Sequence, residues 1–162
     1  MDVALWTVVT LGVVLVAVAI CWRPVRRSIG RATLTRARRD FHICRERLEA
    51  KFFDLASSSG RPRGLRWIEC DFEDGVVYAR NRRTSDIAAL VAVTIAFEAI
   101  EGGPMEGVEA VSNLRAATAV FVFRNGVWKT EGRVVFNLNP SEAIAHYQDD
   151  LEPVATETAQ SQ

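Results

Sequence analysis

The apolar and polar positions of this chain follow different periods in different regions, and each change of period predicts a change of element. Val3 to Trp22 is twenty residues without a charge. At 1.5 Å per residue such a run rises about 30 Å as a helix, which matches the hydrocarbon core of a bilayer. It predicts one transmembrane anchor over residues 1–23, with Trp6 and Trp22 near the two ends, where indole rings favour the headgroup zone. Ala17-Val18-Ala19 has the small-x-small form of a cleavage site. The flanks argue the other way, because only Asp2 precedes the apolar run while Arg23, Arg26, Arg27 and Arg31 follow it, the reverse of a secretory signal. An uncleaved anchor is preferred, with an exported domain as the alternative.

The basic juxtamembrane segment 24–32 contains Pro24, which predicts a stop or kink, and Gly30, which predicts a hinge. A globular domain is expected over 33–152. Leu34, Ala37, Phe41, Cys44, Leu48, Phe52 and Leu55 recur at spacings of three and four, so they share one face of a helix of about 25 residues ending before Ser57. That stripe can pack on the chain's own sheet, or its first five positions, Leu34 to Leu48, can form the seam of a parallel dimer. The sheet is preferred, because two heptads are short for a coiled coil and alanine, cysteine and phenylalanine are mediocre seam residues.

From Leu65 the period turns toward two. LRWIECDF, the polar Glu73-Asp74-Gly75 and VVYARNRR predict a hairpin whose turn uses the glycine. The β-branched stretch AALVAVTIAFEAI predicts a long strand, too short in apolar residues for a second span. Asn125-Gly126 between two apolar runs predicts a two-residue hairpin that sets Phe123 opposite Trp128, Phe121 opposite Thr130, Ala119 opposite Gly132 and Ala117 opposite Val134. Large side chains then gather at the turn and small ones farther along, where a crossing helix can approach. Asn139-Pro140-Ser141-Glu142 has the parts of a capped helix start, and residues 153–162 read as a frayed polar tail.

The predicted fold class is α+β: a transmembrane helix, then a long amphipathic helix on a curved antiparallel sheet of about five strands, then a short helix. This order looks like the cystatin or nuclear-transport-factor-2 kind of architecture, an analogy of layout that transfers no active site.

Charge adds direction to this layout. The 20 basic and 20 acidic residues cancel, but nine arginines lie between Arg23 and Arg47. By the positive-inside rule the arginine-rich side is cytoplasmic, with the N-terminus outside the plasma (inner) membrane. Arg23, Arg26, Arg27 and Arg31 are candidate contacts for anionic headgroups, and no aromatic platform or motif accompanies them that would favour nucleic acid. The acidic connection that includes Glu98, Glu101, Glu106 and Glu109 is a candidate partner loop. Three scattered cysteines fit a reducing compartment rather than a disulfide framework.

No catalytic residues, cofactor or metal ligands are expected, since no nucleophile, base or phosphate-cradling loop stands at a diagnostic spacing. The preferred function is a noncatalytic interaction or scaffold module with an unidentified protein partner or a second copy of itself. A small-molecule-binding protein or enzyme with a pocket between helix and sheet, lined by Trp67, Tyr78, Phe121, Trp128 and His146, is the first alternative. An anionic-lipid sensor is the second.

Overall fold

The computed structural model describes the backbone of residues 2–59 and 64–158, and the side chains of residue 12, residues 30–58 and residues 64–158. It divides into two units, residues 1–39 and 40–162. Helix α1 (Asp2–Ser59) runs through both, and its assignment continues through Pro24 and Gly30, so the expected helix stop does not occur. The expected transmembrane side chains, and those of Arg23, Arg26 and Arg27, lie outside the described residues. Among the described residues no helix is long and apolar enough to cross a membrane.

In the second unit the fold is α+β. Its antiparallel sheet comprises β1 (Leu65–Asn81), β2 (Ile87–Ala99), β3 (Arg115–Arg124), β4 (Val127–Lys129), β5 (Val134–Phe136) and β6 (Leu151–Glu157). The strands lie in the order β4-β3-β2-β1-β6, and β5 also pairs with β3. A short 3-10 turn (Glu109–Ser112) follows β2, and helix α2 (Pro140–His146) precedes β6.

Residues 40–59 of α1 lay the apolar stripe on one sheet face. Phe41 and Phe52 are fully buried and Leu48 nearly so. Phe41 meets Trp128 at 4.9 Å and Phe121 at 5.5 Å between ring centroids, while Phe52 meets Phe72 and Phe121 at 5.6 Å each. Edge-on and tilted ring contacts of this kind add to the free energy of burial itself. Of the five expected seam positions, Phe41 and Leu48 are thereby occupied within the chain.

Three expectations are corrected here. The hairpin expected at Glu73-Asp74-Gly75 is instead a bulge within the continuous 17-residue strand β1, where the register against β2 shifts between Phe72 and Val76. The cause is tertiary. Arg45 of α1 donates to the carbonyls of Glu73 and Asp74, the latter at 2.9 Å, and its Nε is held by Glu49 at 2.6 Å. Two backbone acceptors that would otherwise be left over by the bulge are satisfied by a charged fork. Gly75 does not take the positive φ that the turn reading required.

The second correction concerns the Asn125-Gly126 hairpin. Phe123 faces Trp128 as expected, but beyond Lys129 the partners move by two, so that Ala119 faces Val134 and Ala117 faces Phe136. The slack is taken up over residues 130–133. Gly132 there adopts φ +69, and a Cβ on it would stand 2.6 Å from the Ala56 nitrogen of α1. The helix does approach where side chains are small, and the strand breaks to admit it. An offset of two preserves the face on which each side chain lies.

Third, the segment expected to fray forms β6, which pairs with β1 from Glu157↔Val76 to Leu151↔Asn81. It is an edge strand whose register against β1 shifts between Ala155 and Pro153, and both settings tolerate proline. Because β6 reaches only Val76, the half of β1 from Leu65 to Gly75 has a sheet neighbour on one side only among the described residues. Helix α2 forms as expected, with a capping box between Asn139 and Glu142.

Cys70 lies on β1, half-buried, and burial together with the nearby Glu49 and Asp71 carboxylates pushes its thiol up to about 12. Below about pH 9, the ordinary value for the group, folded and unfolded chains both hold this proton. Between 9 and 12 only the folded chain still holds it, so deprotonation favours unfolding and stability falls as pH rises through that window. At pH 8 a thiol-specific alkylating reagent should therefore modify Cys70 at least tenfold more slowly in the folded chain than in urea. Equal rates would show that the thiol is not shielded.

Candidate functional site

The residues expected to line a pocket between helix and sheet are divided by the fold. Tyr78 and Phe121 are fully buried, and Trp67 and Trp128 are 6% and 5% exposed. They stack on α1 and on one another as core, with Phe41–Tyr78 at 6.2 Å and Phe53–Trp67 at 6.3 Å. His146 stands apart from them, exposed on α2 with its ring edge against Tyr147 at 4.8 Å. The five residues do not share a cavity wall among the described residues.

The acidic connection is also divided. Glu98 belongs to β2 and pairs with Arg66 on the neighbouring strand, and the Glu106 carboxylate accepts from the Gly102 amide at 2.8 Å, closing the loop on itself. Glu101 and Glu109 are exposed beside Ile100, Val108 and Leu114, which are 45%, 41% and 66% exposed. Arg31 is exposed on α1. His42 contacts Glu157 at 2.8 Å, and the same carboxylate oxygen accepts from the buried Tyr78 hydroxyl at 3.1 Å, an arrangement that ties β6 to both α1 and β1. Among the described residues no three histidine, cysteine or acidic side chains are grouped as a metal site.

A concavity lies on the other sheet face, away from α1. Alternation along β2 and β3 sends Ile87, Ala89, Val91, Phe121 and Phe123 toward α1 and sends Ala88, Leu90, Val120 and Val122 the opposite way. Both faces are apolar, so both require cover. Helix α2 supplies it in part, packing Ala143 and Ile144 on Ala79, Ala88 and Leu90, with Leu138 and Leu151 beside them. Seven residues of helix cannot span the sheet. What they leave uncovered is a groove of about 500 Å³, floored by Leu90, Val120, Val122 and Val135 and walled by Tyr147 and Leu151.

The rim is charged. Arg124 pairs with Asp86 at 2.8 Å and Arg83 with Asp150 at 3.3 Å, whereas Lys129, Glu131 and Arg133, also at the groove, make no ion pair among the described residues. The break in the strand explains why this side is polar. Gly132 is pressed against α1, so its neighbours Glu131 and Arg133 are turned outward. The Arg133 guanidinium then lies over the Tyr147 ring at 5.3 Å, which holds it at the mouth.

The sequence does not announce this groove, because its walls come from four separate stretches between Asn81 and Leu151. One signal did point to it: β2 and β3 are apolar on both faces, which marks a sheet covered on both sides. No family model matches the chain, and neither does any curated protein or solved structure.

Proposed function

We infer that the chain is a noncatalytic binding domain that takes up a ligand in the groove on the α2 side of its sheet, and that residues 1–23 tether it to the plasma (inner) membrane with the domain in the cytoplasm. The groove carries this reading: about 500 Å³ of concave space with an aliphatic floor and seven charged side chains among those that line it. The charge-free run Val3–Trp22 followed by arginines supports the tether and its orientation.

The test is a ligand-detected magnetic-resonance screen of small amphipathic compounds against the full chain in lipid nanodiscs, run in parallel on Val122→Trp, which fills the groove floor. Binders of the wild type should lose their signal with the variant. Binders indifferent to the substitution, or none at all, would overturn the reading.

A second reading rests on a different surface. Ile100, Val108 and Leu114 are large apolar side chains exposed together with Glu101 and Glu109 in the segment that joins β2 to β3, a composition suited to a basic amphipathic protein segment. Contact of Arg23, Arg26, Arg27 and Arg31 with anionic headgroups is compatible with either reading.

A further inference from the structure

We propose that the occupant of the groove is a small monocarboxylate with a compact apolar body, such as an arylcarboxylate; this rests on the ligand-binding reading above and assigns its chemistry.

The sign of the charge comes from the rim. Arg83, Arg124, Lys129 and Arg133 stand against Asp86, Glu131 and Asp150, one positive charge in excess. Two of the arginines are already committed to Asp150 and Asp86. The remaining cations are Lys129 and Arg133, with Glu131 between them in sequence, so a single negative charge balances the mouth and a doubly charged phosphate overfills it.

The shape of the anionic group comes from Arg133. Stacked on Tyr147, its guanidinium is oriented before any ligand arrives, and a planar fork is matched by the two oxygens of a carboxylate. Ordering that long side chain in advance removes a cost otherwise met at binding. The ligand body is constrained by the floor, where Leu90, Val120, Val122 and Val135 offer branched aliphatic surface and no polar side-chain atom. A flat or compact hydrocarbon body satisfies such a floor.

The experiment is equilibrium dialysis of 2-naphthoate, 2-naphthol and 1-naphthyl phosphate against the full chain in zwitterionic nanodiscs, with empty nanodiscs subtracted for bilayer partition. Wild type, Arg133→Gln and Val122→Trp are compared, each first checked for an unchanged near-ultraviolet circular dichroism spectrum. Naphthoate should bind, lose at least tenfold in affinity with Arg133→Gln and be abolished by Val122→Trp, while naphthol binds more weakly and ignores Arg133→Gln. If naphthol binds as well as naphthoate and Val122→Trp removes both, the groove is a ligand site but the carboxylate assignment is wrong. Tighter binding of the phosphate overturns the monoanion assignment alone. No binding of any probe above empty nanodiscs, or binding that survives Val122→Trp, overturns the assignment and counts against the site itself.

Discussion

Gly132→Ala should lower the unfolding free energy of the domain by about 2–5 kcal/mol, from left-handed backbone strain of about 1–2 kcal/mol and an overpacking term of about 1–3 kcal/mol. The new Cβ would stand 2.6 Å from the Ala56 nitrogen and 2.8 Å from two atoms of Leu55, and neither helix backbone nor strand can yield without moving the other. Gly107 supplies the internal control, since it has φ +75 with nothing within 4 Å of an added Cβ. Gly107→Ala should therefore show the strain term by itself. Urea unfolding of both variants, followed by near-ultraviolet circular dichroism in the full chain, separates the two contributions. If the two glycines respond alike, the close approach of helix to strand does not govern stability here.

A second large effect is expected two residues apart on one helix. Phe41→Ala removes a fully buried ring that contacts Tyr78, Phe121 and Trp128, and should cost about 3–5 kcal/mol. Ile43→Ala, at a side chain 78% exposed, should change stability by no more than about 0.5 kcal/mol. The contrast also bears on self-association. Were Ile43 part of a dimer seam, its truncation would shift the concentration dependence of unfolding; a transition independent of protein concentration is the expected result.

Legibility of this fold in the sequence tracked how local the deciding interaction was. Asn125-Gly126 and the Asn139–Glu142 capping box depend on side chains within four residues of the backbone they serve, and both appear where expected. Glu73-Asp74-Gly75 has the composition of a turn, yet β1 runs through it because Arg45, 28 residues earlier, captures the carbonyls. The register beyond Lys129 likewise depends on a helix more than seventy residues away in the chain. The sequence of β6 reads as a tail because an edge strand is half solvated, so its polar residues carry no sign that the remainder will pair. The candidate site follows the same logic. Aromatic residues that suggested a pocket wall are core, and the groove is a surplus of sheet over helix that no single stretch announces.

The half of β1 that β6 does not reach has a consequence for solubility. Open strand edges are templates onto which other chains add, and among the described residues Leu65 to Gly75 is such an edge. Its defences are built in. Two register shifts break the regular row of donors and acceptors, and Glu69, Asp71, Glu73 and Asp74 repel a second copy of the same edge. The guanidinium that holds the bulge thus also guards against fibre growth: releasing it would straighten the strand and present a longer template.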